Sequence, residues 1–319
     1  MRWGILGSGL RAHEIAKQIK NNGHELISVA SRKKEHALIM AKSVSEKAEV
    51  ESYDSFIRRE DLDAIYVANE TSHHFEYLKQ ALERNHKVFC AKPICFNRYQ
   101  YENLTQYDGF LVQDIWTDWN PLITKLMAVL KQEKLGKLEL IRANFNCIVS
   151  PGYNNWRLNS QLSGGGVFWD LMIYLVSIIL KLNSSPISQI NPSFQMNEND
   201  SPLMFDLLIN FENLSQAHLT VSSLLNKSQP LLALCSKGKA RIEGSALDPL
   251  KLVLEPLNTP DQVIERGPED PTRFSYLSFV RLLSSDFEYK QHRLDTDYLM
   301  KTMFRIQEMV FPKKNVAIV

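Results

Sequence analysis

The residues best suited to chemistry at the start of the chain form a short glycine-rich run, Gly7-Ser8-Gly9-Leu10-Arg11. The run follows an apolar segment at residues 2–6 and precedes apolar residues with helical spacing. Gly7 permits a sharp turn, and Gly9 lets the backbone approach a pyrophosphate because it carries no Cβ. The free N–H groups at the start of the following helix attract the phosphates. We therefore predict a dinucleotide site that uses all five residues; the alternative is a glycine turn of purely structural use.

The end of the second predicted strand indicates which dinucleotide binds. It reads Ser31-Arg32-Lys33-Lys34, and the first carboxylate after it is Glu35. An NAD-binding unit usually has Asp or Glu here, which accepts a hydrogen bond from the ribose 2′-hydroxyl. A hydroxyl followed by a guanidinium instead suits a 2′-phosphate, and Arg32 can also stack on adenine. The pattern favours NADP over NAD, with a solvated basic strand end as the alternative.

These residues must be positioned by alternating strands and helices. Strands are predicted at residues 2–6, 26–30, 64–68, 87–90 and 110–114, with helices between them. This alternation predicts an N-terminal Rossmann domain with a doubly wound parallel sheet. Ligands of such sheets bind beyond the carboxyl ends of the strands. The candidate site loops are therefore 7–12, 31–34, 69–74 and 91–93.

The second half of the chain has a different pattern. Strands are predicted at 137–149, 204–211, 217–223, 231–235 and 239–243. A glycine-rich loop and an apolar helix are predicted within 164–181, further helices at 271–284 and 296–310, and a surface loop at 191–202. Strands without interposed helices predict an α+β domain with a large, mainly antiparallel, open-faced sheet. We place the domains at 1–117 and 118–319. Because Leu208, Phe211 and Leu219 would leave apolar surface on that sheet, we expect a homodimer formed through it.

Composition is that of a globular protein. The 319 residues are 44% hydrophobic and 23% charged, with a net charge of +1, so we expect no nucleic-acid partner. Four cysteines without C-x-x-C spacing favour a reducing compartment. The first strand begins at residue 2 and the longest apolar run, 167–180, contains Asp170, so we expect neither a signal peptide nor a membrane span. These features predict a cytoplasmic protein.

Over essentially its whole length the chain resembles the Gfo/Idh/MocA family, named for glucose–fructose oxidoreductase and inositol dehydrogenase. The matching pieces occur in the family's order, and they are Gly4-Ile5-Leu6-Gly7-Ser8-Gly9, Val29-Ala30-Ser31-Arg32, Asp63-Ala64-Ile65-Tyr66-Val67-Ala68 with His74, and Lys87-Val88-Phe89-Cys90-Ala91-Lys92-Pro93. Further pieces are similar to the dihydrodiol and aldose dehydrogenase branch, namely Ile115-Trp116-Thr117, Pro121, Trp156-Arg157 and Gly164-Gly165-Gly166-Val167-Phe168-Trp169-Asp170.

The resemblance implies proton chemistry at Lys92, Asp170 and Tyr174. Tyr174 would move the substrate's hydroxyl proton, Lys92 would lower the pKa of that phenol, and Asp170 would orient Lys92 or the substrate. Asp170 and Tyr174 are four residues apart, so they share one helix face. The alternatives are a solvated lysine, a structural ion pair at Asp170 and a tyrosine that belongs to the core.

The resemblance also implies cofactor contacts at Asn69, Thr71, His74 and Lys92, although His74 can instead cap the following helix. Trp116, Trp156 and Arg157 would line the pocket for a small-molecule substrate. We expect no metal, because no further ligands at suitable spacing accompany His73 and His74.

Three residues depart from the family pattern. Ala91 replaces a glutamate, Glu70 replaces a proline and Asp118 replaces an arginine. We expect Glu70 near the nicotinamide half of the cofactor, where it could supply the carboxylate that Ala91 lacks. The expected function is NADP-dependent hydride transfer to or from a hydroxyl or carbonyl carbon of a sugar, polyol or dihydrodiol-like substrate. The alternative is a non-catalytic NADP-binding sensor.

Overall fold

The computed structural model describes residues 1–45, 47–149, 155–198 and 200–311, without the side chains of residues 155 and 156. Its contacts separate into two compact units. The first comprises Met1–Asp114 and Thr272–Thr296, and the second comprises the described residues of Ile115–Pro271 and those that follow Thr296. The sequence assigns residues 272–296 to the second domain, whereas their contacts lie with the first unit.

The first unit is a doubly wound sheet, as predicted. Its strands are β1 (Arg2–Leu6), β2 (Glu25–Ala30), β3 (Glu49–Glu51), β4 (Ala64–Val67), β5 (Val88–Ala91) and β6 (Leu111–Asp114). Its helices up to residue 105 are α1 (Leu10–Asn21), α2 (Lys34–Val44), α3 (Tyr53–Phe56), α4 (His74–Glu83) and α5 (Arg98–Thr105). Among the described residues the order is β3-β2-β1-β4-β5-β6 and every neighbouring pair is parallel. The winding reverses between β1 and β4.

The central strands of this sheet are buried on both faces. Every residue of β4 is buried, and so are the last four residues of β1. The helix α1 packs Ile15, Ala16 and Ile19 into the core, which confirms the face predicted from their spacing. Because helices cover both faces of a parallel sheet, its central strands appear in the sequence as continuous apolar runs.

The second unit contains the large sheet. Its strands are β7 (Leu138–Asn146), β8 (Ile187–Met196), β9 (Pro202–Phe211), β10 (Gln216–Ser222), β11 (Leu231–Cys235), β12 (Gly238–Gly244), β13 (Pro249–Pro256) and β14 (Gln262–Glu265). Its helices include α6 (Pro121–Lys131), α7 (Ser160–Ser163) and α8 (Ile173–Leu182), with 3-10 turns at Trp116–Trp119 and Asn155–Leu158 and a π-helical turn at Phe168–Met172. The strand order is β14-β13-β12-β11-β7-β10-β9-β8. Within the described ranges, only β7 and β10 run parallel, so the predicted mainly antiparallel sheet is confirmed.

The prediction of a surface loop at 191–202 is wrong. Most of this stretch belongs to β8, which pairs with β9 at the edge of the sheet. Ile190 is the one buried residue of β8, so the strand lacks the apolar alternation from which strands are predicted. An edge strand with a largely exposed surface tolerates this polar composition.

The two faces of the second sheet differ in composition. Phe205, Leu207, Ile209 and Phe211 alternate along β9 and are buried, and Leu219 of β10 is buried with them. The expectation that Phe211 and Leu219 leave apolar surface exposed is therefore wrong. Successive side chains of a strand point to opposite faces, and this register directs both residues into the core.

The opposite face of the same sheet carries polar and charged pairs beside half-buried leucines such as Leu208 and Leu234. Thr220 donates a hydrogen bond to Asp206 at 2.6 Å across β10 and β9. Glu255 of β13 forms ion pairs with Lys239 at 2.9 Å and with Arg241 at 2.8 Å, both on β12. Cross-strand pairs of this kind stabilise an exposed sheet face.

Two more helices, α9 (Pro271–Leu282) and α10 (Asp286–Val310), follow the large sheet. The rings of Tyr276 and Phe279 lie 5.4 and 5.2 Å from that of Trp3 in β1. Tyr289 stacks on Phe110 with 4.1 Å between the centroids. These aromatic contacts explain why the segment around α9 belongs to the first unit.

One apolar segment could cross a membrane by length and composition alone. Residues Ser160–Leu182 contain a window of mean hydropathy 1.7, and 83% of that window is buried inside the protein. Val176, Ile178 and Ile179 are fully buried. Burial in the core of the second unit therefore accounts for the apolar composition of this segment.

Candidate active site

The glycine run forms the turn between β1 and α1, where the winding of the sheet reverses. Gly7 has a φ of +119°, and its N–H donates to the carbonyl oxygen of Ala30 at 2.8 Å. A Cβ at this position would lie 2.8 Å from the nitrogen of Asn69 and closer still to the carbonyl of Ala68. The fold itself therefore requires glycine at position 7.

Gly9 is under a different constraint. Its φ is −76°, and a Cβ there would meet no described protein atom within 4 Å. It begins α1 without a side-chain cap, no acidic residue occupies the first turn, and Leu10 is exposed. The first N–H groups of a helix have no partners inside the helix, so this end suits an anion.

Ser8 and Ser31 connect the glycine run to the end of β2. Their hydroxyl oxygens are 2.7 Å apart, and both side chains are partly buried. Ser31 also accepts a hydrogen bond from the N–H of Lys33 at 3.3 Å. Two hydroxyl groups are thus held at the edge where the sequence predicts a phosphate.

The side chain of Arg11 is used within the fold. Its guanidinium donates to both carboxylate oxygens of Asp114, at 2.8 and 3.0 Å, and to the hydroxyls of Thr272 and Ser275 at 2.8 and 2.9 Å. The Asp114 carboxylate is fully buried and also accepts from Tyr66 at 2.9 Å. The predicted cofactor contact of Arg11 is thereby restricted to its backbone.

Arg32 forms an ion pair with Glu70, a residue that the sequence analysis expects near the nicotinamide half of the cofactor. Its Nη2 donates to Oε1 of Glu70 at 2.6 Å, and the two side chains are 60% and 19% exposed. His73 lies 4.0 Å from the other carboxylate oxygen of Glu70. The long Arg32 side chain spans from the loop after β2 to the loop after β4, and opposite charges hold it there. The expectation that Glu70 replaces the missing carboxylate at position 91 is not supported by this placement.

Asn69 and Thr71 lie in the loop after β4. Both polar atoms of the Asn69 amide are buried and have no hydrogen-bond partner among the described residues. Thr71 is buried and begins a 3-10 turn. A buried amide without partners is costly, so a native structure that keeps one calls for an explanation. A ligand that both donates and accepts hydrogen bonds, such as a dinucleotide, satisfies this group.

His74 joins two loops of the same edge. Its Nδ1 lies 2.8 Å from the carbonyl oxygen of Pro93, and its Nε2 lies 3.1 Å from that of Asn69. Burial lowers the pKa of His74, so the imidazole is neutral at physiological pH and donates from one nitrogen at a time. Both ring nitrogens face the backbone, which makes His74 a positioning residue for the loops that carry Asn69 and Lys92.

Lys92 follows the last residue of β5 and is half-buried. The turn after it is fixed by Gln113 of β6, whose Oε1 accepts from the N–H of Ile94 at 2.8 Å. Gln113 is itself buried. Sequence patterns did not single out Gln113, and the available signal was a pair of polar residues, Gln113 and Asp114, that ends the strand.

In the second unit, Tyr174 lies at the start of α8 and is 8% exposed. The ring of Trp116 meets it edge to face, with 6.0 Å between centroids and an interplanar angle of 86°. Asp170 lies in the π-helical turn that precedes α8. Such turns are rare and frequently occur at functional sites. Lys92 belongs to the first unit, so the predicted catalytic residues are divided between the two units.

Asp118 anchors this part of the second unit. Its Oδ1 accepts from the hydroxyl of Ser177 at 2.6 Å, and its Oδ2 lies 3.6 Å from Nζ of Lys181. Ser177 and Lys181 follow Tyr174 by about one and two helical turns, so the three side chains lie on one side of α8. Asp118 thus ties the turn that carries Trp116 to the helix that carries Tyr174. No sequence signal indicated this contact.

Of the two predicted substrate residues, Trp156 and Arg157, the structure describes the side chain of Arg157 alone. Arg157 is half-exposed, and its Nη1 lies 3.9 Å from Oδ2 of Asp170. Because the Arg157 side chain is 46% exposed, a pair at this distance adds little stability. The side chain of Trp156 lies outside the described residues, and its role stays a prediction.

The two cysteines that flank Lys92 in sequence, Cys90 and Cys95, are not activated thiols. Burial raises the pKa of Cys90 well above its usual value and that of Cys95 to about 12, so both thiols stay protonated. Within the described part of the chain, no group of three His, Cys, Asp or Glu side chains is arranged to hold a metal ion.

Two models of known protein families match this chain, one in each half. A family model described as an oxidoreductase family with an NAD-binding Rossmann fold matches residues 1–107, and the model of the GFO/IDH/MocA C-terminal domain matches residues 123–241. A trans-1,2-dihydrobenzene-1,2-diol dehydrogenase from Danio rerio is 25% identical over 60% of this chain and 59% of that protein. The enzyme of the same name from Xenopus tropicalis is 22% identical over 79% and 78%.

Solved structures share the fold. A 3-ketoreductase from Actinomadura kijaniata, in complex with NADP and TDP-benzene, superposes with a TM-score of 0.81 at 19% identity, over 94% of this chain and 96% of that one. An oxidoreductase from Thermotoga maritima has a TM-score of 0.79 at 18% identity, over 95% of both chains.

Proposed function

The chain belongs to the Gfo/Idh/MocA family of oxidoreductases, and from this premise we propose that it is an NADP-dependent dehydrogenase or reductase. The substrate is a small molecule with neighbouring hydroxyl or carbonyl groups, of the sugar, polyol or dihydrodiol class. Relatives named for a dihydrodiol and for D-xylose support this class. The reaction interconverts a CH–OH group and a carbonyl.

The observation that carries this proposal is the buried amide of Asn69 beside the Gly7 turn, which has no hydrogen-bond partner in the described part of the chain. The N–H groups at the start of α1 would hold the pyrophosphate, and Asn69 would hydrogen-bond the cofactor. Ser31 and Arg32 would hold the 2′-phosphate, which favours NADP over NAD. A bound dinucleotide supplies or accepts the hydride.

The proton is handled by the protein. Tyr174 would give a proton to the carbonyl oxygen in the reductive direction and take it from the hydroxyl in the oxidative one. Asp170 would accept hydrogen bonds from other substrate hydroxyls. Lys92 would donate to the reacting oxygen or the ribose, and its charge would favour the phenolate of Tyr174. Trp116 would hold the Tyr174 ring and face the substrate.

Two measurements test the proposal in sequence. NADPH and NADH are first titrated against the protein, and we expect NADPH to bind at least tenfold more tightly, which corresponds to about 1.4 kcal/mol. A panel of aldoses, inositols and trans-dihydrodiols is then followed by nicotinamide absorbance. Binding of neither cofactor would exclude the oxidoreductase function, and turnover of one substrate class would identify the reaction.

A non-catalytic NADP-binding sensor is the second candidate. One support is Ala91, which stands where the family pattern has a carboxylate before the lysine. A second is that Glu70 pairs with Arg32 and so does not replace the missing carboxylate. The variant Ala91→Glu separates the two candidates. An active enzyme gains little from the change, whereas a protein that lost catalysis at this position gains turnover. NADPH binding without turnover in either form supports the sensor.

The proposal includes a cytoplasmic homodimer joined through the open face of the second sheet. The support for the dimer is the group of half-buried leucines on that face, which includes Leu208 of β9 and Leu234 of β11. Light scattering at micromolar concentration tests it, and a monomer would remove this part of the proposal.

A further inference from the structure

The loops after β2 and β4 bring together a cation and an anion at the candidate cofactor site. Arg32 donates to Glu70 at 2.6 Å, and the Glu70 side chain is the more buried of the two, at 19% against 60% exposure. The guanidinium of Arg32, which follows β2, thus reaches the loop after β4.

This pair affects the two dinucleotides in opposite ways. A 2′-phosphate bound by Arg32 would lie close to the Glu70 carboxylate, and two negative groups at short distance repel. A ribose 2′-hydroxyl has a proton to donate, and a carboxylate is the group that usually accepts it in NAD sites. The carboxylate at this edge comes from the loop after β4 rather than from the end of β2.

We propose that Glu70 is a specificity-determining residue that weakens the discrimination between NADP(H) and NAD(H). Its carboxylate competes with the 2′-phosphate for Arg32 and offers an acceptor to the 2′-hydroxyl. Arg32 without Glu70 would bind the phosphorylated cofactor more strongly still, so the pair reduces the preference for NADPH without removing it. This inference rests on the dinucleotide site of the proposed function.

The experiment measures dissociation constants for NADPH and NADH by cofactor fluorescence, with no substrate present. The variant Glu70→Gln keeps the size of the side chain and removes its charge. Glu76→Gln is the matched control, since it removes the same charge from an exposed position on α4. Arg32→Ala reports whether the guanidinium holds the 2′-phosphate. Thermal unfolding of each variant checks that it is folded.

We expect Glu70→Gln to raise the ratio of NADPH to NADH affinity at least tenfold, by tightening NADPH and weakening NADH. Glu76→Gln should change the ratio less than twofold, and Arg32→Ala should abolish the preference. A ratio that stays within twofold in Glu70→Gln, while Arg32→Ala still loses NADPH, overturns the role of Glu70 and leaves the cofactor site intact. Failure of the unaltered protein to bind either cofactor overturns the proposed function and this inference with it.

Discussion

The candidate residues form two halves, one in each unit, and the two halves are positioned in different ways. In the first unit the geometry is set by the backbone, through the positive φ of Gly7, the start of α1 and the loop that holds Asn69. In the second unit it is set by side chains that contact one another, Trp116 with Tyr174 and Asp118 with Ser177. A backbone-built site leaves a recognisable glycine pattern in the sequence. A site built from side-chain contacts does not.

The largest effect is expected in the second unit at Tyr174, where a single hydroxyl group should transfer the substrate proton. We expect Tyr174→Phe to reduce turnover about a thousandfold, because general acid–base groups contribute about that much. The phenyl ring keeps the edge-to-face contact with Trp116, so the fold and the NADPH dissociation constant should change little. Steady-state rates and a cofactor titration measure both quantities. Unchanged turnover on an identified substrate would exclude Tyr174 as the proton-transfer group.

In the first unit, an added methyl group should have different effects at Gly7 and at Gly9. Gly7→Ala places a Cβ against the Ala68 carbonyl at a positive φ, and we expect a loss of about 3 kcal/mol in the free energy of unfolding. Gly9→Ala meets no described protein atom, and at its ordinary φ it should leave stability within about 1 kcal/mol. Its Cβ should instead weaken NADPH binding about tenfold.

Chemical denaturation and cofactor titration of both glycine variants separate the two effects. Equal loss of stability in Gly7→Ala and Gly9→Ala would show that the fold constrains both positions alike. In that case the glycine run would have the purely structural use that the sequence leaves open.

The sequence predicts the first unit well because its signals are local. Apolar runs identified the buried strands β1 and β4, and their alternation with helices identified the parallel sheet. The strand β8 was missed because just one of its residues is buried. The position of α9 was missed because its partners, including Trp3, lie far away in sequence. Local patterns carry no information on such long-range packing.

The same limit applies to the site. The loops that follow the strands were placed correctly at the carboxyl edge, since parallel strands bring them together. The partners of individual side chains were not predicted. The Arg11 side chain hydrogen-bonds Asp114, and the Arg32 side chain hydrogen-bonds Glu70. Long charged side chains choose partners by electrostatics and space, and neither is visible in motif spacing.

Arg11 is expected to contact the cofactor through its backbone and to stabilise the fold through its side chain. Arg11→Met keeps the aliphatic stem and leaves the buried Asp114 carboxylate without its bidentate partner, so we expect a loss of about 3 kcal/mol in the free energy of unfolding. NADPH affinity of the folded variant should change less than threefold. Arg58→Met is the control at an exposed position. A stable variant that has lost NADPH would show that the guanidinium itself binds the cofactor.

The smallest effect is expected at Asp118, and it distinguishes positioning from chemistry in the side-chain half. Asp118→Ala removes the acceptor of Ser177 and the carboxylate near Lys181, which should cost about 2 kcal/mol of stability. Loosening the turn that carries Trp116 should lower kcat about tenfold, because a misplaced proton-transfer group reacts more slowly. Asp118→Asn keeps an oxygen for Ser177 and should recover most of that rate. The shape of the pH–rate profile should stay that of the unaltered protein, since Tyr174 still moves the proton. A profile that shifts in Asp118→Asn would instead place the carboxylate among the groups that titrate during the reaction, and Asp118 would then be more than the anchor of α8.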